Sequence, residues 1–149
     1  MFSFDKASLI SVLPPGFSES RSVRFQDVDA AGIVFYPRII EYCHDVYVSF
    51  LGAHGQPLDQ VLRERTWAAP IRHSQADFLK PLSFGQQVDV SLVLAHLEST
   101  EATLAFQLTL EGSVLAIVQS VHTFVSVEGF RRIPIPEPVR QLLASLPQG

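Results

Sequence analysis

Residues 24–37 read RFQDVDAAGIVFYP, and this stretch marks the start of a long helix and the turn before it. Pro37 lacks a backbone N–H and has φ fixed at about −65°, so it is favoured in the first turn of a helix and disfavoured further inside one. The small residues around Gly32 favour a turn just before that helix. We therefore predict a helix that begins near Pro37, with Asp27 and Asp29 in the turn that precedes it.

The segment that follows Pro37 is rich in apolar residues. They recur at a spacing of about 3.6 over residues 39–51, which is the period of an α-helix. Gly52 then supplies a stop signal at the C-terminal end. Polar residues are too few and too scattered for a helix that lies half in water. The pattern predicts a helix that is largely wrapped by a sheet.

Beyond the helix the hydrophobic period changes to 2, which is typical of strands. We predict four strands at residues 67–78, 88–97, 103–110 and 114–127, preceded by an opening strand at 21–26. Pro70 marks the first of the four as an edge strand or a bulged one. Residues 55–65 are expected to form a loop or short helix, and 139–146 a short terminal helix. This order predicts an α+β fold in which an antiparallel sheet wraps around one long central helix.

Length and composition favour a single compact domain. The chain has 149 residues, and we expect an N-terminal extension at 1–18 followed by one domain at 19–149. The sequence is 47% hydrophobic, so some apolar surface is expected to close against another subunit. The net charge of −4, without a cluster of Lys and Arg, argues against nucleic-acid binding.

The N-terminal sequence and the cysteine content favour a cytoplasmic location. Residues 1–17 do not have the basic start and cleavage pattern of a secretory signal, and no apolar run is long enough to cross a membrane. The chain has one cysteine, Cys43, which cannot form an intramolecular disulfide and suits a reducing compartment. We predict a cytoplasmic protein without membrane insertion.

The turn before the helix has the chemistry of a candidate active site. A helix N-terminus presents unpaired N–H groups and partial positive charge, so it can stabilise an oxyanion that forms during acyl transfer. Asp29 would then act as nucleophile or general base, with the N–H near Tyr36 as the electrophilic group. The alternative is that Asp27 and Asp29 are turn or cap residues, because Asp commonly hydrogen-bonds nearby backbone N–H groups. We assign that structural role to Asp27.

The motif D-x-D-x-A-G-I-V-F-Y-P at residues 27–37 resembles the signature of the 4-hydroxybenzoyl-CoA thioesterase family of hotdog-fold enzymes. Further stretches resemble the 1,4-dihydroxy-2-naphthoyl-CoA thioesterases of menaquinone and phylloquinone biosynthesis. They are EYCHDVYVSFL at 41–51, AAPIRHSQADFLKP at 68–81, VHTFVSV at 121–127 and RRIPIPEP at 131–138. The resemblance covers nearly all of residues 20–143.

This resemblance implies a hotdog fold and a hydrolase that cleaves an aromatic acyl-CoA. It implies that Asp29 is the catalytic carboxylate and that the backbone N–H of Tyr36 polarises the thioester carbonyl. No cofactor is expected, because coenzyme A is part of the substrate. In this fold the pocket usually forms between two subunits, so a homodimer or homotetramer is expected. Other residues are candidates for substrate contacts: Phe35, Trp67, Tyr36 and Phe78 for the aryl slot, His44 and His73 for its border or for ring hydroxyls, and Arg131 and Arg132, or Arg72 or Lys80, for the CoA phosphates.

Several alternatives to these assignments are open from the sequence. His44 and His73 are also explained as partly buried structural histidines, and each arginine or lysine is equally well explained as surface charge. Glu41 matches the helix glutamate of another hotdog branch, but a solvent-facing residue of the first helical turn is the simpler interpretation. Cys43 lies on the apolar stripe, where a buried and inert thiol is usual.

Other functions of the same fold give different expectations. The five histidines show no ligand spacing, so we expect no metal site. A hydroxyacyl dehydratase is disfavoured because residues 29–37 contain no histidine. A thioesterase acting on an acyl carrier protein and a non-catalytic acyl-CoA binding protein are the remaining alternatives.

Overall fold

The computed structural model describes residues 9–10, 12–13 and 16–149. Within these residues the chain forms five strands, three α-helices and one short 3-10 turn. In chain order they are β1 (Phe17–Ser22), the 3-10 turn (Phe25–Asp27), α1 (Tyr36–Ala53), α2 (Leu58–Glu64), β2 (Ile71–Phe78), β3 (Gln87–Leu97), β4 (Glu101–Leu110), β5 (Ser113–Thr123) and α3 (Glu137–Ala144). The α+β class predicted from the sequence is confirmed.

All five strands form one antiparallel sheet in the order β1-β3-β4-β5-β2. Strands β1 and β2 therefore lie at the two edges. The pairing of β2 with β5 shifts register between Ile71 and His73. This irregularity follows directly after Pro70, as expected for a proline at the start of an edge strand. The strands predicted at 103–110 and 114–127 form a hairpin around Gly112, because β4 and β5 pair up to Leu110 and Ser113.

Helix α1 packs across one face of the sheet and forms the core with it. Val46 and Phe50 of the helix are buried together with Leu92 of β3, Phe106 of β4 and Val118 of β5. These strand residues share the face that the alternation of β-strands turns toward the helix. The sheet wrapped around a long central helix is therefore confirmed.

The opposite face of the sheet is partly covered by residues near the two termini. Leu9 is buried against Val93 and Ile117 on this face. The Gln107 amide donates a 2.6 Å hydrogen bond to the Leu9 carbonyl. The Gly149 N–H donates a 2.9 Å bond to the Leu94 carbonyl. Part of the segment predicted as an extension thus packs on the sheet, and β1 itself begins at Phe17.

The opening strand predicted at 21–26 is wrong. The strand is Phe17–Ser22, and residues 25–27 form the 3-10 turn instead. The sequence of β1, FSESRS, lacks the β-branched residues that mark a strand, and its half-buried face carries Glu19 and Arg21 as a 3.0 Å ion pair. The turn forms because the Asp27 carboxylate accepts the N–H of Arg24 at 3.1 Å.

Other boundaries differ by a few residues. Helix α1 runs through Gly52 to Ala53, with His54 as its C-terminal cap. Strand β2 begins at Ile71, and Ala68 makes only an isolated bridge to Val125. The terminal helix starts at Glu137, since Pro138 is accommodated in its first turn. Among the helices of the described residues, none has the length and apolar character needed to cross a membrane.

Candidate active site

A tight turn positions Asp29 beside the beginning of α1. Val28 and Val34 form an antiparallel bridge, and the N–H of Asp29 donates a 2.9 Å bond to the Ile33 carbonyl. Inside this loop the N–H of Gly32 donates to the Asp29 carbonyl at 3.0 Å. Gly32 has φ of +80°, a left-handed conformation that a residue with a Cβ rarely adopts. The glycine therefore permits the reversal that brings Ile33 and Val34 back alongside Asp29 and Val28.

The Asp29 side chain is exposed and also supports its own turn. Its Oδ1 accepts a 2.8 Å hydrogen bond from the N–H of Ala31. Among the described residues its second carboxylate oxygen has no hydrogen-bond partner. The turn role expected for an aspartate is thus present, and one oxygen remains available for chemistry.

The N–H of Tyr36 lies at the positive end of α1. Phe35 is the N-cap residue, with extended φ and ψ of −64° and 123°, and it offers no side-chain cap. The N–H of Phe35 donates to the Asp27 carbonyl at 2.8 Å, and that of Arg38 donates to the Phe35 carbonyl at 2.9 Å. Within the described part of the chain the Tyr36 N–H has no such acceptor. A helix N-terminus of this kind can donate to a developing oxyanion.

Asp27 is completely buried and holds the turn to the helix. Its carboxylate accepts hydrogen bonds from Arg24 Nε at 3.1 Å, Arg24 Nη2 at 3.0 Å and the Tyr42 hydroxyl at 2.6 Å. Arg38 Nε approaches its Oδ1 at 3.7 Å. The structural role predicted for Asp27 is confirmed, and Tyr42 is the partner that sequence analysis did not identify. A buried tyrosine needs a partner for its hydroxyl, and this was the available signal.

The Asp27 carboxyl stays ionised although it is buried. Burial alone would raise the pKa of this carboxyl, but the hydrogen bonds from Arg24 and Tyr42 outweigh it and lower the pKa to about 2. Burial and the bond to Asp27 raise the pKa of Tyr42 well above its usual range. The pair therefore stays as carboxylate and neutral phenol at neutral pH.

A cleft of about 320 Å³ adjoins Tyr36. Phe78, Lys80 and Leu82 line it together with Ile33. The rings of Tyr36 and Phe78 lie 5.9 Å apart, and the Phe35 ring makes an edge-to-face contact with Tyr36 at 5.5 Å. The structure thus brings the aromatic candidates near the helix start together. It also makes Lys80 the basic residue that lines the cleft beside Tyr36.

Four further candidates lie on α1 or in the core beyond it. His44 is exposed and lines a groove of about 410 Å³ with Ile40, Glu41 and Ile71. Glu41 is exposed and accepts a 3.0 Å bond from Arg38, and Cys43 is buried as predicted. Burial raises the pKa of the Cys43 thiol well above its usual range. A further candidate, Trp67, is buried with its ring 5.3 Å from that of Phe124.

His73 lies on the other face of the sheet. Ala76 of the same strand packs against the core, so residues of the opposite parity, including His73, point away from α1. The His73 Nε2 lies 3.1 Å from the Gln75 Oε1. Within one chain, therefore, His73 does not join the turn that carries Asp29.

Arg131 and Arg132 lie at the far end of β5 from Tyr36. Phe78, beside Tyr36, pairs with Ala116, whereas Arg132 approaches Glu101 at 3.9 Å, and Glu101 pairs with Thr123. Seven residues of strand separate Ala116 from Thr123, a distance of about 23 Å. Arg72 is also held by Glu101, with Nη2 at 3.1 Å from its Oε1. The structure does not bring these arginines to the turn in one chain.

An antiparallel sheet wrapped around one helix, with an acidic turn at the start of that helix, defines the hotdog fold expected from the sequence. The Thioesterase-like superfamily matches residues 23–143 of this chain. The chain therefore belongs to the Thioesterase-like superfamily.

Two similar proteins share one name. A 1,4-dihydroxy-2-naphthoyl-CoA hydrolase from Thermosynechococcus vestitus is 33% identical over 86% of this chain and 88% of its own. The hydrolase of the same name from Rippkaea orientalis is 30% identical over 85% of this chain and 94% of its own.

Solved structures agree in fold. A 1,4-dihydroxy-2-naphthoyl-CoA thioesterase from Synechocystis superposes with a TM-score of 0.82 at 23% identity, covering 87% of this chain and 96% of its own. A gentisyl-coenzyme A thioesterase superposes with a TM-score of 0.76 at 26% identity, covering 86% of this chain and 99% of its own.

Proposed function

We propose that this protein is a thioesterase that hydrolyses an aromatic acyl-CoA, either 1,4-dihydroxy-2-naphthoyl-CoA or a similar aryl-CoA, to the free acid and coenzyme A. The observation that carries this proposal is that one hydrogen-bonded turn carries Asp29 and leads directly into the N-terminus of α1, where the Tyr36 N–H has no acceptor among the described residues. The carboxylate supplies the attacking or proton-accepting group, and the N–H supplies the oxyanion contact. The relatives named above support the aryl-CoA class.

Two routes use the same residues. In one, an Asp29 oxygen bonds to the thioester carbonyl carbon and the C–S bond breaks, which gives a mixed anhydride and CoA thiolate. Water then hydrolyses the anhydride and regenerates the carboxylate. In the other, Asp29 takes a proton from a water that attacks the carbonyl carbon, and collapse of the tetrahedral intermediate expels the thiolate. In both, the carbonyl oxygen gains negative charge at the Tyr36 N–H.

The proposed substrate contacts extend from this turn. Phe35 flanks Tyr36, His44 lies further along α1, and Lys80 lines the cleft beside Tyr36 as a candidate for the CoA phosphates. Trp67, His73, Arg131 and Arg132 lie outside the turn in one chain, so a role in substrate binding would require a second subunit or a longer substrate. We propose a homodimer, or a tetramer of two dimers, in which the second subunit completes the pocket.

Residues 35–36, 78–79 and 84 support this assembly, because they place apolar side chains at the surface around the turn. A cytoplasmic location and a reaction without cofactor or metal stay predictions.

The experiment is thiol release from a panel of aryl-CoA and alkyl-CoA thioesters, measured with a chromogenic disulfide reagent. Wild type is compared with Asp29→Asn, and Asp59→Asn serves as a matched control because that aspartate is an exposed residue of α2 paired with Arg63. We expect turnover to concentrate on aryl substrates and Asp29→Asn to lose about three orders of magnitude in kcat.

Near-normal turnover by Asp29→Asn would overturn the assigned carboxylate. No thiol release across the CoA panel, with release from an aryl thioester of an acyl carrier protein, would redirect the proposal to a carrier-protein thioesterase. Tight binding of acyl-CoA without any turnover would identify a binding protein instead.

A further inference from the structure

A short segment before β1 lies on the face of the sheet opposite α1. We call it the strap and define it as the described residues 9–10 and 12–13. Leu9 is only 2% exposed, whereas its neighbour Ile10 is 52% exposed. The strap therefore turns one side chain onto the sheet and the next toward solvent. No step of the proposed reaction uses it.

The strap covers an apolar patch formed by three strands. This outer patch consists of four buried side chains from β3, β4 and β5, namely Val93, Ala105, Val114 and Ile117. Leu9 is buried in the same cluster, and Leu13 packs against it. An apolar sheet face without a second layer is unfavourable in water. The strap supplies part of that second layer.

A buried glutamine beside the outer patch anchors the strap. Gln107 of β4 is buried and pairs with Ile117 of β5. Its Nε2 donates a 2.6 Å hydrogen bond to the Leu9 carbonyl, and its Oε1 accepts a 3.1 Å bond from the Leu13 N–H. These two backbone groups are four residues apart, the spacing of the pair that bonds in one helical turn. The Gln107 amide bonds both of them and thereby attaches the strap to the sheet.

The chain is also closely fitted where it passes from the strap into β1. A Cβ on Gly16 would overlap the carbonyl oxygen of Leu92, so a glycine is required at this crossing. The next residue, Phe17, begins β1 and pairs with Leu92. The route of the strap over the sheet is therefore specified by the sequence at Leu9, Gln107 and Gly16.

We propose that the strap masks a self-association surface, and that the outer patch, once uncovered, packs on the same patch of a second copy of this chain. Apolar faces of two sheets commonly pack on each other, about 10 Å apart. A two-fold contact brings the same residues together from both copies. The Gln107 amide carries both donors and an acceptor, so it can pair with its own copy across such an axis. The seated strap confines assembly to other surfaces, such as the edge of β2.

The strap can outcompete a second copy because it belongs to the same chain. Only three residues separate Leu13 from the start of β1, so a strap that leaves the patch stays close to it. Its effective concentration at the patch is then about millimolar, well above the concentration of a second copy in a dilute solution. Association through the outer patch should appear only when the contacts of the strap are weakened.

The test is Leu9→Asp in the full chain, with mass measured by light scattering coupled to gel filtration. Ile10→Asp is the matched control, because it places the same charge on the exposed neighbour. We expect Leu9→Asp to have at least about twice the mass of the wild type, as two-fold pairing requires, and Ile10→Asp to keep the wild-type mass. The measurement needs no substrate, so its result is independent of whether the proposed thioesterase activity is found.

A second substitution locates the surface. Ala105 is fully buried in the outer patch, so Ala105→Lys added to Leu9→Asp puts a charge in the middle of the uncovered face. A charge in such a contact would be desolvated without a partner, so the double variant should return to the wild-type mass. A double variant that keeps the larger mass would overturn the outer patch as the surface.

Gln107→Leu releases the strap in a different way and guards against a folding defect in Leu9→Asp. It keeps the volume of the side chain and removes both hydrogen bonds to the strap. Hydrogen–deuterium exchange of the peptide that contains the strap reports whether the strap has left. Faster exchange together with a larger mass supports the proposal. Faster exchange at the wild-type mass in both variants, or unchanged exchange in both, would overturn it.

Discussion

The hydroxyl of Tyr42 donates a 2.6 Å hydrogen bond to the fully buried carboxylate of Asp27. This bond connects the second turn of α1 to the segment that leads into Asp29. The Asp27 carbonyl also accepts the N–H of Phe35, the residue before Tyr36. Asp27 therefore fixes both sides of the turn, and its contacts determine where Asp29 stands relative to the Tyr36 N–H.

We predict that Tyr42→Phe lowers kcat about tenfold with little change in KM. The substitution keeps the ring but removes the bond, so the turn loses one of its anchors while Arg24 still pairs with Asp27. Loss of a hydrogen bond to a charged group should also lower the free energy of unfolding by about 1.5–3 kcal/mol. Steady-state kinetics and denaturant unfolding measure the two effects. A destabilised variant with unchanged kcat would show that the bond is structural only.

Stability should fall in acid because two carboxyls have lowered pKa values. Burial opposes ionisation of Asp27, but its hydrogen bonds lower its pKa from 3.8 to about 2. The bond from Arg72 lowers the pKa of Glu101 from 4.5 to about 2, assisted by the Thr123 hydroxyl. Since each pKa is lower in the folded state, the stabilisation is complete above about pH 5 and is lost as the pH falls toward 2.

Glu101→Gln tests this dependence. The variant should be less stable than the wild type at pH 7 and should lose less stability between pH 5 and pH 2, so the two curves converge in acid. Thermal unfolding followed by circular dichroism at a series of pH values gives both curves. Parallel curves over this range would contradict the lowered pKa of Glu101.

Substitution of Gly32 by alanine should strain the turn that carries Asp29. Gly32 has φ of +80° and open space where a Cβ would stand, so the cost is conformational, about 1–2 kcal/mol, rather than steric. We expect a lower midpoint in urea and a reduced kcat, because the turn shifts the carboxylate.

Gly52→Ala is the matched control for this prediction. Gly52 lies inside α1 with open space around it, so the same substitution should raise stability by up to about 1 kcal/mol. Destabilisation of similar size in both variants would show that backbone conformation is not the cause.

The sequence predicts the elements in which apolar residues recur at a regular spacing. The apolar period of α1, the proline at its start and the alternation in β3 to β5 each follow one rule over many residues, and the structure has them within a few residues of the predicted bounds. The resemblance of residues 27–37 to a known motif located the turn that carries Asp29.

The features that the sequence does not predict depend on contacts between residues that are far apart in the chain. Phe25 is 77% exposed and Asp27 is fully buried, which reverses the usual order of hydrophobicity. The reversal is stable because Arg24 forms an ion pair with the buried carboxylate and Tyr42 donates a hydrogen bond to it, and no local rule places Tyr42 beside it. The buried His122 Nδ1, which has no hydrogen-bond partner among the described residues, could likewise not be predicted, because its ring meets Tyr47 only when β5 packs on α1.

The edge strand β2 is where the proposed dimer should form. Among the described residues of one chain it pairs only with β5, and Ile71 at its start is 42% exposed. An unpaired strand edge with apolar side chains is unfavourable in water and is commonly covered by another chain. Ile71 also lines the groove beside His44, so a second subunit at this edge would border the substrate.

We therefore predict that Ile71→Glu shifts the wild-type dimer or tetramer toward monomer and lowers activity in parallel. The buried charge would be unpaired in the interface, whereas it is solvated in the monomer. Light scattering coupled to gel filtration gives the mass, and thiol release measured on the same fractions gives the activity. Leu62→Glu is the control for mass, because it places the same charge on a 69% exposed residue of α2 and leaves the edge of β2 unchanged. A monomeric but fully active Ile71→Glu would show that one chain contains the complete site, and a wild type that is itself monomeric would refute the proposed assembly.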